Sequence, residues 1–171
     1  MHWAAALRRV GAFSIDWLLI AAWGGTLFSV VLYLSDGEPP EGANPWIGQL
    51  VGFVSMTLPV LLYFTLCECS SFQATLGKRC LGLSVTSVDF GRLNFQHSLL
   101  RNALKFLPWE LGHLGAQQMF FAGEAEPATW IWLPLLASMI IPVLWFLHLL
   151  RMGDTPYDGW AGARVVKQSK P

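Results

Sequence analysis

The sequence predicts an all-α membrane protein, a four-transmembrane-helix bundle with a short cytoplasmic segment between helices 2 and 3 and both termini in the cytoplasm. Three observations predict it. Of 171 residues, 54% are hydrophobic, only 13% are charged and nine are Trp, which is far from ordinary soluble composition. Four apolar stretches recur, at approximately 10–34, 46–66, 103–123 and 128–150. The basic residues fall on one side of those stretches, the pattern that orients helices in a bilayer. The length suits a single domain, 1–171.

The first stretch, Val10 to Leu34, carries one charge, Asp16. Two Arg in front and the small residues of "AAWGG" give it some likeness to a cleaved signal peptide, but the run is too long for that, so it reads as a retained helix. Trp46 to Leu66 and Ala128 to Leu150 carry no charge. Each of the three is long enough to cross roughly 30 Å of hydrocarbon.

Ala103 to Gly123 is interrupted by Lys105, Glu110, His113, Gln117 and Gln118, so an interfacial helix competes with a crossing. Charge asymmetry favours the crossing. With four spans, all eleven bases, from Arg8 and Arg9 to Arg164, Lys167 and Lys170, share one side, while the two other loops hold Asp36, Glu38, Glu41, Glu124 and Glu126. With three, the basic tail would be exported.

The polar middle, Glu68 to Asn102, reads in pieces. "SSFQATLGKRCLG" suggests a short surface helix or loop against the headgroups. "LSVTSV", a turn at "DFGR" and a return over "LNF" suggest a short β-hairpin. "QHSLLRNALKF" resumes helical spacing. Near the end, "GDTPYDGWAGARVV" is a Pro- and Gly-rich turn followed by a β-like run.

Several function classes are disfavoured. A net charge of zero gives no reason to expect a nucleic-acid partner. Gly77-Lys78 lacks the rest of a phosphate-binding loop, Asp89-Phe90-Gly91 lacks the other kinase elements, and no nucleophile has a nearby base, so an enzyme is not expected. Cys67, Cys69 and Cys80 are three ligands at most and read as incidental thiols; His2 and His97 have no partner at ligand spacing. Neither a metal nor a cofactor is expected.

The segments "RRVGAFSIDWLLI", "QATLGKRCLGLSV" with "LNFQHSLLRNALKFL", and "TPYDGWAGARVV" together resemble the RDD family of bacterial membrane proteins, named for one Arg and two Asp. The resemblance assigns the Arg to Arg9 and the Asp residues to Asp16 and Asp158. It matches Thr75, Gly77, Lys78 and Gly82 to the central motif, beside Arg79, and Arg101 to the base opening the third span. Where many members show His-Asp, this chain has Tyr157-Asp158. What the resemblance implies is a small polytopic protein of the bacterial inner (cell) membrane that takes part in transport, with no substrate or cofactor named.

The residues themselves support a chemical reading. A carboxylate in a bilayer is expensive and must be compensated, so Asp16 is expected to face the bundle and pair with a base from another helix, Arg101 first and Lys105 second. Such a pair either clamps two helices or belongs to an ion site. Glu110 and His113, three apart, and Gln117 share a helix face, either as a proton or cation path or as a face touching water. Asp158 is either a turn carboxylate or the partner of Lys78, Arg79 or Arg101. Trp3, Trp46, Trp109, Trp130 and Trp132 suit the membrane interfaces, and Gly48 with Gly52 forms a small-xxx-small contact on helix 2.

Two functions follow as expectations. One is transport of an ion or small solute, with Arg9, Asp16, Arg101, Glu110 and His113 along the path; a protomer this small would act as a homo-oligomer or with other membrane proteins. The other is a scaffold docking a protein or anionic lipid through Lys78, Arg79 and Arg92. The lipid bilayer is the partner common to both.

Overall fold

A computed structural model of the chain describes residues 3–35, 44–123 and 125–168. The expected acidic loop residues Asp36, Glu38, Glu41 and Glu124, together with His2 and Lys170, lie outside the described residues. Helix α1 runs Trp3–Ser35. The second stretch forms one continuous rod from α2, Pro45–Gly52, through a π-helical turn, Phe53–Thr57, to α3, Leu58–Cys69. Then come α4, Leu76–Cys80, β1, Leu83–Ser87, and the 28-residue α5, Phe95–Ala122. A 3-10 turn, Thr129–Ile131, leads into α6, Trp132–Met152, followed by α7, Pro156–Trp160, and β2, Ala163–Lys167.

Three helical segments are apolar and long enough to cross a membrane, Trp3–Leu34, Pro45–Cys69 and Thr129–Met152. Helix α5, at about 42 Å for 28 residues, has the length for a crossing but carries too many polar residues to rank with them. It is the hub of the bundle, packed on both α3 and α6. The outward residues are apolar: Leu18, Leu133 and Met139 are each more than two-thirds exposed, as suits helices facing lipid chains. Inside, Ile20, Val60, Leu61, Phe64 and Phe106 form the core, with Phe64 and Phe106 edge to face at 5.0 Å.

The second rod shows how sequence sets local geometry. Pro59 has no N–H to give the Ser55 carbonyl four residues back, and that carbonyl accepts the indole N–H of Trp23 at 2.9 Å, tying α1 to the π-helical turn. Gly48 and Gly52 face α5: a Cβ on either would overlap Phe121 or Gln117. The small-residue contact is therefore within the protomer, between α2 and α5.

The polar middle segment departs from expectation in two ways. Strand β1 does not fold back on Leu93–Phe95; it pairs antiparallel with β2, in register Leu83↔Lys167 to Ser87↔Ala163. The turn at Asp89–Gly91 is present, with Phe90 at φ 62°, but the return makes only the single bridge Thr86↔Arg92. Asn94 then caps α5 by accepting the His97 N–H at 2.8 Å, so the chain is committed to helix where a return strand was expected. The β-like run after Asp158 takes the vacant edge, burying Val85, Leu93 and Ala163 together. Second, α4 is not a surface helix: Gly77 and Lys78 are buried, and Gly77 lies so close to α1 that a Cβ would collide with the Ala12 carbonyl and the Asp16 carboxyl.

Candidate functional site

Asp16 points into the bundle and is fully buried, but no base among the described residues pairs with it. Its Oδ1 accepts the Gly77 N–H at 2.8 Å and the Tyr63 hydroxyl at 3.0 Å, and its Oδ2 accepts the Thr75 hydroxyl at 2.6 Å. The expected pairing with Arg101 or Lys105 is thus replaced by three neutral donors. The physical reason is the free N-terminal turn of α4. Its N–H groups lack helical partners, and Asp16 reaches from α1 to satisfy that of Gly77. Thr75 caps α4 on its own side by accepting the Lys78 N–H at 3.4 Å, and Tyr63 accepts the Leu76 N–H at 3.1 Å.

The bases make their own network beside it. Arg101 on α5 bonds Asp158 through Nε at 2.8 Å and Glu68 on α3 through Nη1 at 2.7 Å. Arg9 on α1 reaches the other oxygen of Asp158 at 2.7 Å, and Lys78 on α4 reaches Glu68 at 2.7 Å. The Asn102 amide also donates to Glu68 at 2.9 Å. Five helices are joined through two carboxylates. Burial by itself would raise the Asp158 carboxyl, but Arg101 and then Arg9 beside it hold it below the usual carboxylate range. Burial, then the neighbouring Asp158, pushes the Tyr157 hydroxyl up, so it stays neutral. Its ring packs on Trp145 at 5.0 Å and beneath the Arg101 guanidinium at 5.4 Å.

Of the expected site residues, Arg9, Asp16, Thr75, Gly77, Lys78, Arg101 and Asp158 come together here. Asp158 takes Arg101, as expected among its possible partners, and Arg9, which was not among them. Arg79 turns outward onto Phe72, 4.3 Å from its ring centre. Gly82 holds φ 62° at the entrance to β1, a conformation suited to Gly, and its carbonyl accepts the Gln168 N–H at 2.8 Å. Glu68, Tyr63 and Asn102 were missed. Glu68 carried a signal: it is the one acid between residues 42 and 88, at the end of an apolar helix with Lys78 ten residues on.

Glu110 and His113 occupy a separate place. Glu110 accepts from Gln49 at 2.6 Å and from the Thr57 hydroxyl, both on the second rod. His113 lies 3.9 Å from Glu110 and packs edge-on against Trp109, which also meets Trp17 edge-on at 5.9 Å. Trp109 thus packs within the bundle, while Trp46 and Trp130 stack at 6.1 Å where the second rod begins and the last helix starts.

Between α1, α5 and α6 lies a cavity of about 600 Å³, within the range of about 300–1,000 Å³ of small-ligand sites. Its lining includes Arg9, Asp16, Arg101, Lys105 and His113, but not Glu110. Lys105 has no ion pair among the described residues. Its ammonium sits over three rings, 3.7 Å from the centre of Phe64, 4.7 Å from Phe13 and 4.9 Å from Phe106.

The RDD family model matches residues 3–117. Asp158 lies beyond the matched stretch, yet the fold closes it onto Arg9 and Arg101 within it. No curated protein and no solved structure matches the chain.

Proposed function

The chain belongs to the RDD family, and from that membership and the cavity we propose that it is a four-span protein of the bacterial inner membrane, with both termini cytoplasmic, that moves an ion or small solute. The observation that carries the reading is the 600 Å³ cavity with Arg9, Asp16, Arg101 and His113 on its lining. Polar groups inside a membrane bundle cluster at solute paths. Glu110 joins the reading only through His113. Asp16 is the coupling candidate, because protonating it would weaken three hydrogen bonds that hold α4 to α1. One bundle is small for alternating access, and the exposed apolar faces of α1 and α6 suit association into a homo-oligomer.

The test is ion- or proton-coupled flux in proteoliposomes. Asp16→Asn should abolish flux while leaving the protein folded; undiminished flux in that variant overturns the coupling role. For topology, Ala125→Cys in a chain with Cys67, Cys69 and Cys80 changed to Ser should label from the exterior only, and labelling solely from the cytoplasmic side overturns the four-span arrangement. The scaffold reading has less support. Lys78, one of its three docking bases, is buried against Glu68, and Arg92 donates to the Cys69 carbonyl at 2.7 Å.

A further inference from the structure

The bases and acids at one end of the cavity do not pair off. Four bases, Arg9, Lys78, Arg101 and Lys105, face three carboxylates, Asp16, Glu68 and Asp158. Arg9 and Arg101 share Asp158, Arg101 and Lys78 share Glu68, and Asp16 is occupied by neutral donors. Lys105 is left over. Three ring faces line its amine, but they supply no counter-charge; burial opposes a lone charge there, and an anionic head brought in from outside is what would let Lys105 carry one.

The rest of the lining says what kind of anion. Beyond Lys105 the walls are apolar and aromatic, with Phe13 and Trp17 from α1, Phe106 and Trp109 from α5, and Trp145 and Phe146 from α6. A small inorganic anion would leave that surface uncovered. Helices α1 and α6 touch little, whereas α5 and α6 pack closely along their length. The cavity is therefore loosely closed between α1 and α6, whose outward residues there, such as Leu18 and Met139, are apolar and exposed.

We infer that this cavity binds an amphiphile with an anionic head and one acyl chain, its carboxylate or phosphate seated at Lys105 and its chain along the aromatic walls toward Ser138. Carboxylate and phosphate heads share the chemistry that Lys105 reads. The inference rests on reading this cavity as the ligand site and names the ligand class that fits it. Ser138, against Gly112, stands about 10 Å along α5 from Lys105 and marks the far end.

The experiment is equilibrium binding to the purified full chain in mild detergent. The probes are radiolabelled hexadecanoate and 16-carbon lysophosphatidic acid, with the zwitterionic lysophosphatidylcholine of equal chain length and inorganic phosphate as competitors. The expected result is saturable binding of about one anionic amphiphile per chain. Whichever probe binds tighter identifies the head. Phosphate should not compete, and the zwitterion should bind at least tenfold more weakly. Lys105→Gln should weaken the anionic probes about tenfold and Lys105→Arg should not. Ser138→Leu should weaken the 16-carbon probe but spare a six-carbon one. Binding unchanged in Lys105→Gln, equal binding of the zwitterion, or no saturable binding overturns the inference. Flux is not read here, so saturable binding without flux sinks only the transport reading, and flux without amphiphile binding sinks only this one.

Discussion

Asp16 and Gly77, 61 residues apart in the chain, meet through a 2.8 Å hydrogen bond from the Gly77 N–H to the Asp16 carboxylate. The bond needs the two backbones nearly in contact, because any Cβ at Gly77 would enter the space of the Ala12 carbonyl and the Asp16 carboxyl. A carboxylate on one helix thus serves as a cap for another. Both residues are fixed by the same close approach, and neither role is separable from the other.

Gly77→Ala should therefore lower the melting temperature in detergent by several degrees, corresponding to about 1–3 kcal/mol of overpacking. Gly25→Ala is the control. Gly25 lies in α1 with open space where an alanine methyl group would stand, and Ala is the better helix former, so its melting temperature should not fall. Equal behaviour of the two variants would remove the steric argument for Gly77.

Glu68 is bonded to Arg101, Lys78 and Asn102 while fully buried, and two of those three partners are cations. Glu68→Ala leaves two buried cations without their shared anion, so a loss of about 3–5 kcal/mol is expected. Arg9→Ala should be milder, since the Arg9 side chain is 15% exposed and Asp158 keeps Arg101. Thermal melts of both variants check the ranking, and a larger loss in Arg9→Ala would refute it.

Much of this was legible in the sequence, for identifiable reasons. The spans follow from uninterrupted apolar runs, and the inward direction of Asp16 follows from the cost of a charge in lipid. The partners were not legible, because they depend on which loop folds back. Asp16 was expected to need a cation, but the chain supplies Thr75, Gly77 and Tyr63 from segments whose approach no local pattern announces. In the same way, β1 looked ready for a hairpin because "DFGR" is a good turn. Its actual partner is a strand about 80 residues later, a long-range pairing invisible to local periodicity.

Helix α5 carries polar residues that make it a weak span by composition, and its seat against α2 depends on two glycines. Gly52→Val should push α2 off Gln117 and Phe121 and loosen Gln49 from Glu110, with a loss of about 1–3 kcal/mol. A disulfide-crosslinking pair placed across α2 and α5 should form efficiently in the parent and poorly in this variant. Efficient crosslinking in both would show that the glycines do not set the helix distance.

The Asp158 pairing makes a prediction about pH whose sign is fixed by the direction of its shift. Burial opposes ionisation of this carboxyl, but Arg101 and Arg9 together outweigh burial, so it titrates below the ordinary value of about 3.9. A depressed carboxylate contributes stability that is present above its unfolded value and lost as pH falls through its folded value. The Asp158-dependent part of stability should accordingly be constant from about pH 8 to pH 5 and shrink below about pH 4. The measurement is the difference in melting temperature between the parent and Asp158→Asn across that range. Subtracting the variant removes the other titrating groups, and Tyr157, raised and neutral throughout, adds nothing. A difference that grows toward acid pH would mean that the Asp158 carboxyl titrates above its ordinary value in the folded protein, contrary to its place between two arginines.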